Sequence, residues 1–224
     1  MMNCAFDMTI KISPSSTGLV VEQEDGGVKS RKTLTLETFA ECILGSRYDD
    51  DTHPTGFLPE NCFAATLVGR DIVYFLRYPE LCADISYYGT EYPDFPLPRL
   101  VFRFKYSPET GKVFGAGLAV VADERLSPDM PTYVYPFSNV HGDKQICLGN
   151  NALPVYKDPT RLHTLMRLIL GFPNNDDMFR DTNNQLGLGY RDLLEHLKDK
   201  PSAYYYTDVL KTDGKTLRAF MSGR

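Results

Sequence analysis

The residues best suited to chemistry lie in one polar segment, YPFSNVHGDKQICLGNNALP, which spans residues 135–154 and is called the cysteine loop below. The segment has little periodicity, and an ordered loop of this length often carries function. Cys147 lies in it eight residues after Asn139, and the thiolate of a cysteine is a nucleophile. His141 and Asp143 lie between them and could help to move a proton. Three apolar residues would pin the loop to the body of the domain: Val140, Ile146 and Leu148.

Each of these residue types also has an ordinary structural interpretation. A single cysteine is most often a small buried apolar residue, and a histidine or aspartate in a loop is most often a solvated turn residue. The cysteines are odd in number, widely spaced and without a Cys-x-x-Cys pair: Cys4, Cys42, Cys62, Cys82 and Cys147. This pattern argues against a disulfide framework and a zinc site, so we expect reduced thiols and no metal. The sequence has no glycine-rich phosphate loop or G-x-S-x-G elbow, so we expect no cofactor.

The composition limits the classes of partner. A chain of 224 residues with 42% apolar residues can bury a core and is expected to form one elaborated domain. The net charge of −5 and the pI near 5.4 do not favour a nucleic-acid partner. No apolar run approaches the roughly 20 residues that cross a bilayer, and the N-terminus lacks the pattern of a signal peptide. These features predict a cytoplasmic protein with no membrane partner.

The N-terminal part of the sequence predicts two strands and a helix. Residues 1–30 contain TIKI and GLVVEQ, which read as a strand pair ending at the turn signal Asp25-Gly26-Gly27. Thr35 can cap a helix that Gly45 ends. Its apolar residues have the spacing of one helical face: Leu36, Phe39, Ala40, Ile43 and Leu44.

The central part predicts an antiparallel meander. Two short strands flank Gly69-Arg70-Asp71 within residues 64–78, and three more follow as LVFRFKY, VFGAGLAVVA and TYVYPF. Residues 92–98 hold three prolines, which is too many for a helix or a central strand. We expect this segment to be an extended lead-in to the meander.

The C-terminal part predicts two helices. Asp158-Pro159 supplies a cap and an N1 proline for a helix that ends at Gly171. A further helix carries Tyr190 and three leucines and stops at Pro201, and residues 201–224 are expected to close as a hairpin or tail. The fold class predicted from these elements is α+β, with an antiparallel meander flanked by helices.

Asn139 and the tripeptide Ile146-Cys147-Leu148 give the cysteine loop a specific resemblance. It is similar to the ubiquitin-conjugating enzyme superfamily, in which His-Pro-Asn, a short turn with glycine and Ile-Cys-Leu follow one another with the same spacing. Further segments resemble, more narrowly, the prokaryotic conjugating family D, the protein B of PRTRC-type gene clusters: TGFLP at 55–59, PLPRLVF at 96–102, and YPFSNV leading to ICLGN. The resemblance covers roughly residues 30–175. It implies a ubiquitin-conjugating-like domain over residues 31–200 that follows an N-terminal strand extension over residues 1–30.

The resemblance also implies a bacterial enzyme with a defined reaction. Cys147 would carry a ubiquitin-like protein as a thioester, because a thiolate is both a nucleophile and a good leaving group. Asn139 would donate to the carbonyl oxygen as an acceptor amine attacks, or else would brace the loop. The implied partners are an activating enzyme, the ubiquitin-like protein and a protein substrate. Phe137 and Ser138 replace the histidine and proline of the family, and how the acceptor amine is deprotonated is left open.

Two other functions compete with conjugation. The first is a binding module of the same fold that has lost transfer and only docks a ubiquitin-like protein. The second, weaker alternative is a cysteine hydrolase that uses Cys147 with His141 or His163, for which the sequence offers no convincing base and orienting residue. For either enzyme, we expect Cys147 to be partly exposed on a loop that is not a regular strand.

Overall fold

The computed structural model describes residues 7–12, 18–25, 27–46 and 57–223. The chain divides into two units, Met1–Gly56 and Phe57–Arg224, which are described separately below. The first unit extends beyond the strand extension predicted for residues 1–30. It includes the helix that the sequence analysis assigned to the domain at residues 31–200.

The first unit contains a three-stranded antiparallel sheet. Strand β1 (Asp7–Ile12) pairs with β2 (Gly18–Asp25), and β2 pairs with β3 (Val28–Thr35). The predicted strand pair is therefore confirmed, whereas β3 was not expected. Nearly all of its side chains are exposed. Its sequence, VKSRKTLT, therefore lacks the apolar alternation from which a strand is predicted.

Helix α1 (Leu36–Ser46) follows β3 directly. The hydroxyl oxygen of Thr35 accepts a hydrogen bond from the backbone N–H of Thr38 at 3.1 Å. This contact is the predicted N-terminal cap, so the beginning of the helix is set by local sequence.

The second unit contains eight strands in two sheets. They are β4 (Cys62–Val68), β5 (Asp71–Arg77), β6 (Cys82–Tyr87), β7 (Thr90–Pro96), β8 (Arg99–Ser107), β9 (Lys112–Val121), β10 (Pro131–Tyr133) and β11 (Thr212–Thr216). The larger sheet has the order β11-β10-β9-β8-β5-β4, and all of its neighbouring strands are antiparallel. The predicted meander is its centre.

The two faces of this sheet pack against different cores. Alternate residues of a strand point to the same face of the sheet. On β8, the alternate residues Leu100, Phe102 and Phe104 are fully buried in the main core. Val101 points to the opposite face, where it joins a smaller core with Phe75 of β5.

The proline-dense segment at residues 92–98 is extended and is neither a helix nor a central strand, as predicted, but it forms part of a hairpin that was not expected. Strand β7 pairs only with β6, in a two-stranded sheet among the described residues. Prolines are tolerated there because each strand of such a hairpin has an open edge that needs no N–H donor. Phe95 and Tyr92 of β7 are buried in the main core.

The helices of the second unit follow the cysteine loop. A 3-10 helix (Pro159–Leu162) leads into α2 (His163–Leu170), which is followed by α3 (Tyr190–Leu197) and α4 (Leu217–Ser222). The carboxylate of Asp158 accepts from the backbone N–H of Thr160 at 3.0 Å, as the predicted cap requires. The apolar faces of α2 and α3 are buried in the main core.

Residues 201–224 do not form the expected hairpin or tail. A π-helical turn (Tyr205–Val209) is followed by β11, which pairs with β10 at the edge of the larger sheet, and then by α4. Leu217 and Phe220 of α4 are 1% and 3% exposed in the smaller core. These two side chains cover the apolar sheet face that carries Val101, so the segment is part of the folded unit.

The architecture is mixed, with helices and mostly antiparallel sheets, which agrees with the predicted α+β class. Within the ranges that the structure describes, no helix has both the length and the apolar character needed to span a bilayer.

Candidate active site

The cysteine loop runs along the edge of β9 before it reaches Cys147. The backbone N–H of Ile146 donates to the carbonyl oxygen of Ala116 at 2.9 Å, and the N–H of Leu118 donates to that of Lys144 at 2.9 Å. These bonds form a short bridge between Gln145 and Gly117. Cys147 therefore begins the irregular chain immediately after a segment that the sheet holds in place.

A tight turn over residues 141–145 precedes this bridge. The N–H of His141 donates to the carbonyl oxygen of Gln145 at 2.8 Å, and the N–H of Lys144 donates to that of His141 at 2.8 Å. The carboxylate of Asp143 accepts from the N–H of Gln145 at 3.0 Å. Asp143 therefore shapes the turn, and both His141 and Asp143 are exposed.

Cys147 is half-buried, so its predicted partial exposure is confirmed. Its backbone N–H donates to the carbonyl oxygen of Asn139 at 2.8 Å. Among the described residues, no side chain hydrogen-bonds to its sulfur, including those of His141, Asp143 and Asn139. The thiol thus has a fixed backbone but no attached base.

The side chain of Asn139 is directed to the chain that follows α2. Its amide nitrogen donates to the carbonyl oxygen of Pro173 at 3.1 Å and to the side-chain oxygen of Asn174 at 3.3 Å. A side-chain amide has two N–H donors, so both are engaged. Asn139 also has a φ of +64°, in the left-handed region that asparagine tolerates better than most residues. Of the two roles considered for Asn139, this geometry is that of a brace.

Asn174 extends the brace to the small hairpin. Its backbone and side-chain N–H groups both donate to the carbonyl oxygen of Ser86 on β6, at 2.8 and 3.2 Å. Asn174 is 7% exposed, and its side chain also donates to the carbonyl oxygen of Phe172. Nothing in the sequence singles out Asn174, because an asparagine in an irregular segment carries no periodic signal.

Phe137 anchors the beginning of the loop. It is fully buried, and its ring lies 5.4 Å from that of Tyr135 and 5.6 Å from that of Phe95, measured between centroids. The rings of Tyr190 and Tyr205 lie at 6.2 and 6.1 Å. Aromatic packing around Phe137 therefore holds the beginning of the loop.

Tyr156 anchors the chain that follows Cys147. Its carbonyl oxygen accepts from the hydroxyl of Tyr106 at 2.8 Å, and its N–H donates to the carbonyl oxygen of Gly111 at 2.7 Å. Gly111 has a φ of +68°, and a Cβ there would lie 2.8 Å from the Tyr156 oxygen. This position in the β8–β9 turn requires glycine for both reasons.

Lys144 is a second feature that the sequence did not reveal. It has a φ of +68° and is 6% exposed, and its ammonium forms an ion pair with Asp213 of β11. Burial lowers the pKa of Lys144, and the hydrogen bond to Asp213 opposes that shift. A buried lysine in a loop would be noticed from sequence only if its partner 69 residues later were known.

His163 is not placed for hydrolysis at Cys147. Its Nδ1 lies 2.9 Å from the carbonyl oxygen of Thr160, and its Nε2 lies 3.8 Å from the carboxylate of Glu60. In the described part of the chain, three or more potential metal ligands do not come together anywhere.

Comparisons of the chain with protein-family models, curated proteins and solved structures gave no match.

Proposed function

We propose that this chain carries a ubiquitin-like protein as a thioester on Cys147 and transfers it to an amine of a protein substrate. The observation that carries the proposal is the half-buried Cys147, with its backbone held by Asn139 and preceded by the segment that β9 pins. The spacing between these two residues is that of the ubiquitin-conjugating superfamily.

No base hydrogen-bonds to the Cys147 sulfur among the described residues, and this arrangement suits acyl exchange better than hydrolysis. In loading, the Cys147 sulfur bonds to the carbonyl carbon of an existing thioester, and the donor thiol leaves with the proton of Cys147. In discharge, the acceptor nitrogen bonds to that carbon, the S–C bond breaks, and the thiolate takes up the proton that the amine loses. Both steps start from an activated acyl group, so Cys147 need not be activated by a histidine as in a hydrolase.

Asn139 would have to change partners to assist discharge. One of its two N–H groups would leave Pro173 or Asn174 and donate to the oxyanion that forms as the amine attacks. The same contacts favour the alternative function, a binding module of the same fold in which Asn139 is only a brace.

The experiment that tests the proposal is loading by a cognate activating enzyme with ATP and the ubiquitin-like protein. We expect a band heavier by one ubiquitin-like protein that thiol reductant removes, because thioesters exchange with thiols and isopeptides do not. Cys147→Ser should give a more persistent oxyester, and Cys147→Ala should give no adduct.

A matched control separates the site from the other thiols. Cys82 is also half-buried, so Cys82→Ser should load like the wild type. Loading that persists in Cys147→Ala, or none in the wild type with an active cognate pair, would contradict the proposal. Binding without loading would support the binding module.

A further inference from the structure

A buried ion pair connects the cysteine loop to the C-terminal strand. The Lys144 ammonium donates to the hydroxyl oxygen of Thr132 at 2.9 Å and pairs with the carboxylate of Asp213. The Thr132 hydroxyl in turn donates to that carboxylate at 3.0 Å. Thr132 lies on β10 and Asp213 on β11, so these three residues form a closed network between the loop and the sheet edge.

A second buried cation connects the neighbouring loop residue to α4. Arg103 of β8 is 5% exposed and donates to the carbonyl oxygen of Phe220 at 2.7 Å. When the Gln145 amide is oriented so that both of its atoms have partners, Arg103 donates to its side-chain oxygen at 2.7 Å and its nitrogen donates to the carbonyl oxygen of Ala116 at 3.0 Å. Residues 144 and 145 are therefore both held by elements that lie far away in the sequence.

The backbone at Lys144 depends on such support. A non-glycine residue at a φ of +68° is strained, and this conformation persists only where the surroundings impose it. The carbonyl group of Lys144 is also the acceptor that joins the loop to Leu118 of β9. Cys147 follows three residues later, so the backbone at Lys144 belongs to the segment that leads to the thiol.

We propose that Lys144 is a positioning residue for Cys147 and that Asp213 acts through it. The ion pair holds the left-handed turn, and the turn sets the direction in which the thiol is presented. The consequence for acyl transfer rests on the proposed function, whereas the effect on the thiol itself does not. A result against acyl transfer would therefore leave the effect on thiol reactivity untouched, and the reverse also holds.

The test measures the alkylation of Cys147 by iodoacetamide in the full chain, resolved by mass spectrometry of its peptide, together with thermal unfolding. Lys144→Met leaves the partly buried Asp213 carboxylate without its counter-ion, and Asp213→Leu does the same for the buried Lys144 ammonium. We expect each to lower Tm by about 6 °C or more, because breaking a buried pair is strongly destabilising. We expect each to raise the alkylation rate of Cys147 about tenfold or more, because the loop opens locally.

The double variant Lys144→Met/Asp213→Leu separates positioning from stability. It has no unpaired charge, so Tm should return close to the wild-type value. Alkylation should stay fast, because a methionine without the ion pair does not hold the left-handed turn. This split between Tm and thiol reactivity is the result that a merely stabilising ion pair would not give.

A surface ion pair on α4 gives the matched control. Arg218 pairs with Asp129 at 3.1 Å, and their side chains are 64% and 80% exposed. Arg218→Met should change neither Tm nor the alkylation rate appreciably, because exposed pairs contribute little. The proposal is overturned if both single variants alkylate Cys147 at the wild-type rate, or if the double variant restores that rate together with Tm.

Discussion

The backbone N–H of Cys147 donates to the carbonyl oxygen of Asn139 at 2.8 Å, so these two residues are joined through their main chains. The side chain of Asn139 points instead to Pro173 and Asn174. The main chain of Asn139 therefore fixes the cysteine, and the oxyanion contact that we propose would use the side chain alone. Substitutions at position 139 can distinguish these two roles.

Removing the amide of Asn139 should slow discharge more than loading. Under the proposed function, we expect Asn139→Ala to slow discharge by about 10²- to 10³-fold and to leave loading largely intact, because attack of the amine on the acyl group held at Cys147 is the step that the Asn139 amide is proposed to assist. Single-turnover loading and discharge assays measure both steps.

Asn139→Gly is the control for backbone strain. Glycine adopts the φ of +64° without the cost that alanine has there, so it removes the amide alone. Equal losses of loading and discharge in both variants would show that Asn139 only braces the loop.

Truncating Phe137 should destabilise the fold. Phe137 is fully buried among four aromatic rings, and a Phe→Ala change at such a site costs about 3–5 kcal/mol of the free energy of unfolding. Phe114→Ala is the control, because that ring is 57% exposed and its removal should change stability little. Denaturant unfolding measures the difference, and similar losses in the two variants would refute the anchoring role.

Tyr87 should make the fold sensitive to alkaline pH. Burial and the hydrogen bond from its hydroxyl to Asp176 raise the pKa of Tyr87 to about 12. The pKa is higher in the folded chain than in the unfolded one, so the stabilisation is fully present below the unfolded value and is lost as the pH rises through about 12. We expect Tyr87→Phe to flatten the fall in Tm over this range.

Tyr88→Phe is the control for that measurement, because the Tyr88 side chain is 63% exposed. Its Tm should follow the wild-type pH dependence. A Tyr87→Phe variant whose Tm falls as steeply as that of the wild type would exclude Tyr87 as the source.

Cys62 should react more slowly than the exposed Cys42. Burial raises the pKa of the Cys62 thiol, whose sulfur donates to the carbonyl oxygen of Ala64 at 3.2 Å. Since the thiolate is the reactive form, we expect its alkylation at neutral pH to be about tenfold slower or more. Peptide mass spectrometry gives both rates in one sample, and equal rates would contradict the expectation.

The sequence predicted the elements whose signals are local. Thr35 and Asp158 each cap a helix by accepting a hydrogen bond from a backbone N–H two or three residues later. Both helices therefore begin where expected. Strand β11 could not be found in this way. Its sequence, TDGKT, has no strand pattern, and it forms because β10 offers an open edge.

The sequence likewise predicted some properties of the candidate site and not others. The resemblance singled out Cys147 and Asn139 through their types and spacing, and a main-chain hydrogen bond joins the two residues. The same reasoning gave a solvated turn as the ordinary interpretation of His141 and Asp143, which is what the structure shows, but it could not show that Lys144 is buried or that the turn is tied to the sheet. These properties are set by contacts with Asp213 and β9, which no local pattern encodes.

The separation of 69 residues between Lys144 and Asp213 has a consequence for biosynthesis. Chains emerge from the ribosome with the N-terminus first, so Cys147 is exposed to the cell well before β11 exists. During that interval the turn at Lys144 lacks its counter-ion, and the thiol is not yet held in its final orientation. We expect a nascent chain to be most open to oxidation or wrong acylation at Cys147 until β11 has paired with β10.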